Sequence, residues 1–254
     1  MMQAIGDALL LTQRNLRRIP RSPELLLGFT VQPIMFVLLF VYVFGGAIQT
    51  PGFTYVDFLI PGILIQMLCF GATLTGVGLA DDLQKGLIDR FRSLPMARSA
   101  VLAGRTLADT VTNFFQIVVL VVVGIVVGFS FHTSVPDVLA GVVLALLLGL
   151  AISWISAIIG LSVMNVEAAQ QIGFIWVFPL TFISSAFVPI DTMPPVLEAF
   201  ASVNPITITV DAVRALWLGA PAGDNVWLSL VWSLGLIAIF APFAVSRYRR
   251  VASA

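Results

Sequence analysis

Residues able to do chemistry are few in this sequence, and they gather in two places. The stretch DDLQKGLIDRFRSLP, residues 81–95, carries three aspartates, two arginines and Lys85. The stretch NPITITVDAVRALWLG, residues 204–219, carries Asp211 and Arg214, three apart and able to pair on one helix face. Neither is a reaction centre by composition. His132 is the only histidine and Cys69 the only cysteine, so disulfide and metal frameworks within one chain are excluded. Lys85 is the only lysine and stands in LQKGL, outside any GxxxxGK[ST] loop, so no phosphate cradle is encoded. What remains is recognition and ion pairing. Asp211 and Arg214 either neutralise each other near a membrane or gate an exit. The 81–95 stretch either solvates a loop or docks a partner.

The elements that position these residues follow from composition. Of the 254 residues, 59% are apolar by AVILMFWYC, only 10% are charged, and mean hydropathy is +1.04. Soluble domains carry about 25% charged residues, so this chain is an integral membrane protein, all-α and forming one transmembrane domain over residues 1–254. Six apolar stretches are long enough to cross: Leu25–Ala47, Phe58–Ala80, Leu107–Phe131, Val138–Met164, Ile172–Val188 and Val226–Val245. Before them, residues 4–19 place Ile5, Leu9, Leu16 and Ile19 on one face and Arg14, Arg17, Arg18 and Arg21 on the other. This is the pattern of an interfacial helix facing lipid headgroups over residues 1–22. Ser22-Pro23-Glu24 reads as a helix start.

Net charge is zero, with no sign of a nucleic-acid partner, but the cations are unevenly spread. With six spans and the N-terminus inside, twelve of the thirteen Lys and Arg residues fall on the cytoplasmic side and only Arg214 outside. Both termini and the 81–105 loop are then cytoplasmic, and residues 189–225 external. In the loop, Leu83, Leu87, Arg90 and Leu94 share one stripe, and Pro95 ends the short helix. In the external segment, Asn204 caps a helix of about 14 residues with Pro205 at its first position, and Gly219 stops it. Too short to span, it is expected to lie on the outer leaflet or dip into it as a re-entrant helix.

The spans hold almost no ionisable groups at their centres, which counts against an ion-coupled carrier and a membrane-embedded enzyme. Glu24, Asp57, Asp109 and Glu167 fall near span ends, with Asp109 placed to pair with Arg105. The polar residues within spans are neutral: Gln32, Gln66, Asn113, Gln116, Ser153, Ser156, Thr181, Ser184 and Ser185. They either bond between helices or line a path. Gly124 and Gly128 form a GxxxG that permits close helix approach. Cys69 reads as a small core residue and His132 as an interface residue.

Three stretches resemble the permease subunit of type-2 ABC exporters, of the daunorubicin-resistance drug-efflux type. They are RNLRRIPRSPELLLGFTVQPIMFVLLFVYVFGGAI, DDLQKGLIDRFRSLPMARSAVLAGRTLAD and NPITITVDAVRALWLG. The resemblance implies a six-helix permease in the bacterial cytoplasmic membrane that pairs with a second permease chain, identical or not. It implies a separate cytoplasmic ATPase holding ATP and Mg, with no cofactor and no enzyme activity in this chain. The cargo implied is a hydrophobic or amphiphilic drug-like molecule, with a lipid or lipid-linked glycan as the alternative. The 81–105 segment is identified with the family's coupling loop, with Asp82, Leu83, Gly86, Leu87, Asp89, Arg90, Leu94 and Pro95 as contacts for the ATPase. Gln84 stands where many members carry Glu, so Asp82 or Asp89 is expected to take that acid's place. Spans one and five are expected to meet at the permease interface, which makes Gln32, Phe36, Phe178, Phe182 and Ser185 the candidates for a substrate path.

Overall fold

A computed structural model describes Thr12 and residues 23–46, 48, 50, 52–86, 98–163 and 165–251. Among these residues the chain is helical, with no strand. Helix α1 spans Pro23–Leu39 and continues without a break as a π-helical turn over Phe40–Phe44. Then come α2 (Tyr55–Gln84), α3 (Arg98–Val127), α4 (Val135–Gly160), α5 (Val166–Phe182), α6 (Pro195–Val203), α7 (Pro205–Leu218) and α8 (Asn225–Val251). Four helices, α2, α3, α4 and α8, are long and apolar enough by themselves to cross a membrane, and α6 with α7 forms a pair bent by 69°. The interfacial helix predicted over residues 4–19 lies outside the described residues except for Thr12, which is helical and donates from its hydroxyl to the Gly104 carbonyl at 3.0 Å.

Helix α2 is the axis of the bundle. Its apolar residues surround the helix rather than forming one stripe, and Leu59, Ile60, Ile63, Leu64, Ile65 and Leu68 are all buried. Thr54 caps it by accepting from the Asp57 amide, and the Asp57 carboxylate accepts from the Ser130 amide, which ties the start of α2 to the turn after α3. Glycines let α2 touch its neighbours through backbone. A Cβ on Gly76 would lie 2.3 Å from the Ser156 carbonyl oxygen of α4, and one on Gly160 would lie 2.1 Å from that of Gly76. Close approach through small residues is the usual way helices gain packing contacts in lipid.

Several predicted boundaries shift. Helix α2 extends four residues past Ala80, so Asp81, Asp82, Leu83 and Gln84 are helical rather than loop; an Asp81–Lys85 pair at 2.7 Å supports the last turn. Helix α3 begins at Arg98, inside the segment expected to be loop, and ends at Val127 because Gly128 takes a left-handed φ of 112°. Gly128 is therefore a terminator and not half of a helix-packing GxxxG; only Gly124 packs, against Ile60. The fifth predicted span starts six residues earlier than expected, at Val166, where Asn165 accepts from the Ala168 amide at 2.7 Å. It ends at Phe182, and Ile183–Val188 turn out of the helix.

The segment 189–225 holds two helices where one was expected. Helix α6 opens on Pro194-Pro195, a start signal the reading passed over. Helix α7 has the predicted 14 residues, cap and glycine stop, with Gly219 at φ 72°. It does not lie on a surface. Ile206, Val210, Val213 and Trp217 are buried, and so are Thr207, Thr209 and Arg214 on its other faces. Trp217 donates from its indole to the Val138 carbonyl at 3.1 Å, above Gly141, whose missing side chain makes room for the ring. Helix α7 is thus sunk into the bundle, whereas α6, bent from it by 69°, is exposed apart from Ala201.

Candidate functional site

Three places collect the residues singled out above. The first is Arg214, on α7, which is 5% exposed. Its Nε and Nη2 both donate to the Phe58 carbonyl, at 2.9 and 2.8 Å, and Nη2 also reaches the carbonyls of Ser185 at 2.7 Å and Ala186 at 3.3 Å. Nη1 donates to Asp211 at 2.9 Å, and the guanidinium carbon sits 3.5 Å from the centre of the Phe58 ring. The planar fork of arginine suits this convergence of acceptors. The Asp211–Arg214 pair is thus a bolt joining α7, the first turn of α2 and the turn after α5. Asn204 adds to it: besides capping α7 it donates to the carbonyls of Leu180 at 2.7 Å and Ile183 at 2.9 Å, which lack partners within α5.

The second place is the opposite end of α2, roughly 36 Å away at 1.5 Å per residue. Here Arg105 of α3 pairs with Asp82 of α2 at 3.0 Å, both side chains largely buried. Asp109, expected beside Arg105, instead accepts from the Thr75 hydroxyl. Asp82 is therefore turned into the helix pair. Leu83 packs against a small cluster of Leu79, Leu102, Leu161 and Tyr248. Gly86 takes a left-handed φ of 63°, which ends α2. Leu87, Asp89, Arg90, Leu94 and Pro95 lie outside the described residues.

The third place is a cleft of about 490 Å³ between α1, α2, α3 and α5. Gln32, Phe36, Phe178 and Phe182, proposed from sequence, all line it. Ser185 does not: it is buried at the Arg214 bolt, where its hydroxyl donates to Asp211 at 2.8 Å. Gln66, Phe70, Thr73, Gln116, Gln170 and Phe174 complete the polar and aromatic lining, and among the described residues no ionisable group takes part. The rings form a continuous chain. Phe70 meets Phe174 at 5.7 Å between centres, Phe174 meets Phe178 at 5.1 Å, and Phe178 meets Phe182 at 4.3 Å. Phe187 then bridges Phe182 at 5.2 Å and Phe40 at 4.6 Å. The sequence signal that would have found Gln170 and Phe174 is a shared spacing: Gln32, Phe36, Phe40 and Phe44 on α1 match Gln170, Phe174, Phe178 and Phe182 on α5, each at four-residue steps. Such a wall can hold an apolar body and offer neutral hydrogen bonds. It offers no fixed charge, nucleophile or general base.

The comparisons with known proteins give the class of this multi-pass helical membrane protein. Residues 7–218 match the family model of the ABC-2 type transporter, and the chain belongs to that family. It is similar to the daunorubicin resistance ABC transporter permease protein of Streptomyces coeruleorubidus, 32% identical over 97% of this chain and 87% of that protein. It is also similar to a Mycobacterium tuberculosis protein named "Probable doxorubicin resistance ABC transporter permease protein", 25% identical over 98% of this chain and 90% of that one.

Proposed function

We propose that this chain is the membrane subunit of an exporter that moves hydrophobic or amphiphilic small molecules out of the cell. ATP and Mg are held by a separate cytoplasmic ATPase, and a second permease chain completes the pore. The observation that carries the reading is the cleft: its described lining is phenylalanine, aliphatic side chains, neutral amides and one threonine, with no charge among them to pair with an anionic or sugar-rich cargo, which would enter at a cost of several kcal/mol. The names of the similar permeases point the same way, and nothing in them favours lipid or glycan export. Helices α1 to α5 and α8 make six crossings, with α6 and α7 re-entrant from the outside. The cation count puts both termini and residues 81–105 in the cytoplasm. The segment Asp82–Pro95 couples to the ATPase, with Leu87 and Leu94 as its apolar contacts and Asp89 setting register, since Asp82 is committed to Arg105 and Leu83 packs on the cluster of Leu79, Leu102, Leu161 and Tyr248.

The test is ATP-dependent efflux from vesicles that hold the permease with its ATPase, over a panel of hydrophobic compounds and one hydrophilic polyanion. Export of the former supports the reading; efficient export of the polyanion overturns it. Orientation is read separately in a Cys69→Ala background. Lys85→Cys should resist an impermeant thiol reagent in intact cells and Asp224→Cys should react; the reverse pattern overturns the topology.

A further inference from the structure

Two of the helices that wall the cleft carry a glutamine followed by rings at four-residue steps. On α1 Gln32 is followed by Phe36 in the cleft, and by Phe40 and Phe44 on the π-helical turn beyond it; on α5 Gln170 is followed by Phe174, Phe178 and Phe182. A four-residue step advances about 6 Å along a helix and returns to nearly the same face, so each helix carries an amide at the foot of a column of rings. Gln32 and Gln170 are exposed at the cleft edge. Two further glutamines close the wall from inside, Gln66 of α2 and Gln116 of α3, 3% and 4% exposed. Gln66 stands 11 residues from the start of α2, and Gln116 lies against Gly71, five residues or about 7.5 Å further along that helix.

Gln116 differs from the other lining groups. Its Oε1 is buried and accepts no hydrogen bond, although buried acceptors are almost always satisfied. It faces Gly71, a cleft residue, where a Cβ would come within 3.3 Å of that oxygen. A buried acceptor without a donor holds free energy that only a donor entering the site recovers. Because no anion stands among the described lining residues, a charged ammonium would give up its hydration there without a counter-ion. A neutral hydroxyl or amide N–H would not.

Resting on the exporter reading, we infer that Gln116 is the head-group subsite of the cleft. Its ligand is a neutral amphiphile that donates an uncharged O–H or N–H to Gln116 Oε1 and lays its apolar body along the phenylalanine columns. The amide selects among hydrophobic molecules, while the rings accept them without distinction.

Pyrenebutanol and its methyl ether test this, since they share one apolar body and differ in a single donor. Binding to the purified full-length permease in lipid nanodiscs is read by tryptophan-to-pyrene energy transfer. The wild type should bind the alcohol about five- to tenfold more tightly than the ether, the value of one net hydrogen bond. Gln116→Leu should bind both with the ether's affinity, and Phe174→Leu should weaken both alike. Equal binding of the pair by the wild type overturns the inference, as does an undiminished preference in Gln116→Leu. If Gln116→Leu fails to fold, Gln116→Met replaces it, and the wild-type ratio still decides. Efflux of the same pair with the ATPase present separates the two claims. Preferential binding without ATP-dependent efflux sinks the exporter reading and leaves the subsite standing. Efflux of both compounds at equal rates, with equal binding, sinks the subsite and leaves the exporter. Absence of binding and efflux of either compound sinks both.

Discussion

Around Arg214 all three guanidinium nitrogens donate to oxygens, and α7 is packed on every side. Along the cleft, Phe174 and Phe178 are half open, and Gln116 carries an acceptor with no donor. Both regions lie within one bundle and share α2, yet they are finished to different degrees. A region whose polar groups are all paired has one low-energy arrangement, and displacing any part of it leaves carbonyls stranded in an apolar surround. A region of adaptable rings and a spare amide tolerates several occupants at similar cost. The contrast separates a fixed anchor, which holds α7 to the bundle, from a surface suited to varied ligands.

The comparison breaks most readily at the anchor. Arg214→Leu should lower stability by about 3 kcal/mol or more, because the Phe58, Ser185 and Ala186 carbonyls lose their donor and Asp211 loses its partner. Arg214→Lys should rescue little, since one ammonium cannot reproduce the fork. Thermal unfolding in detergent, followed by circular dichroism, measures both; a melting curve unchanged by Arg214→Leu would mean that α7 is held elsewhere. Next in size is Gly76→Val, which drives a side chain into the Ser156 carbonyl and should cost about 1–3 kcal/mol on the same assay.

At the other end of α2, Leu87→Asp should weaken ATPase association by one to two orders of magnitude, equivalent to losing about 1.5–3 kcal/mol of leucine burial. Co-purification at graded ATPase concentration reads this, and full retention would leave the loop a topology signal only. Smallest in stability, and sharpest for the comparison, is Phe182→Ala. Its ring is partly exposed, so unfolding should shift little, but the relative efflux of different hydrophobic compounds should change at equal expression. A uniform loss for every compound would instead indicate that Phe182 packs the helices.

Much of this was legible along the chain. The all-α membrane class, the Asn204 cap, the 14-residue helix and the Gly219 stop follow from composition and from local signals that act within a turn or two. Gln32, Phe36, Phe178 and Phe182 were named because spans one and five were expected to meet at the permease interface; the structure puts them on one cleft within the chain. Their shared four-residue register with Gln170 and Phe174 was also on the page, but a helical stripe of aromatics reads equally well as packing until a cleft is seen beside it.

What only the tertiary structure decided is which partner each polar group takes. Arg105 has Asp109 one turn away in sequence and Asp82 across the α2–α3 contact, and the spatial neighbour is the one it holds. Ser185 reads as a path residue on a span and becomes part of the Arg214 bolt, because α5 ends at Phe182 and the chain turns under α7. Helix α7 reads as a surface helix because its length is too short to cross. It is buried instead, because the carbonyls of Phe58, Ser185 and Ala186 converge on its one arginine. Sequence periodicity reports what a helix presents on each face; it carries no record of carbonyls that arrive from other elements, 28 to 156 residues away in the chain. In an apolar medium, where every donor must find an acceptor, those distant carbonyls settle where a charged side chain can be placed.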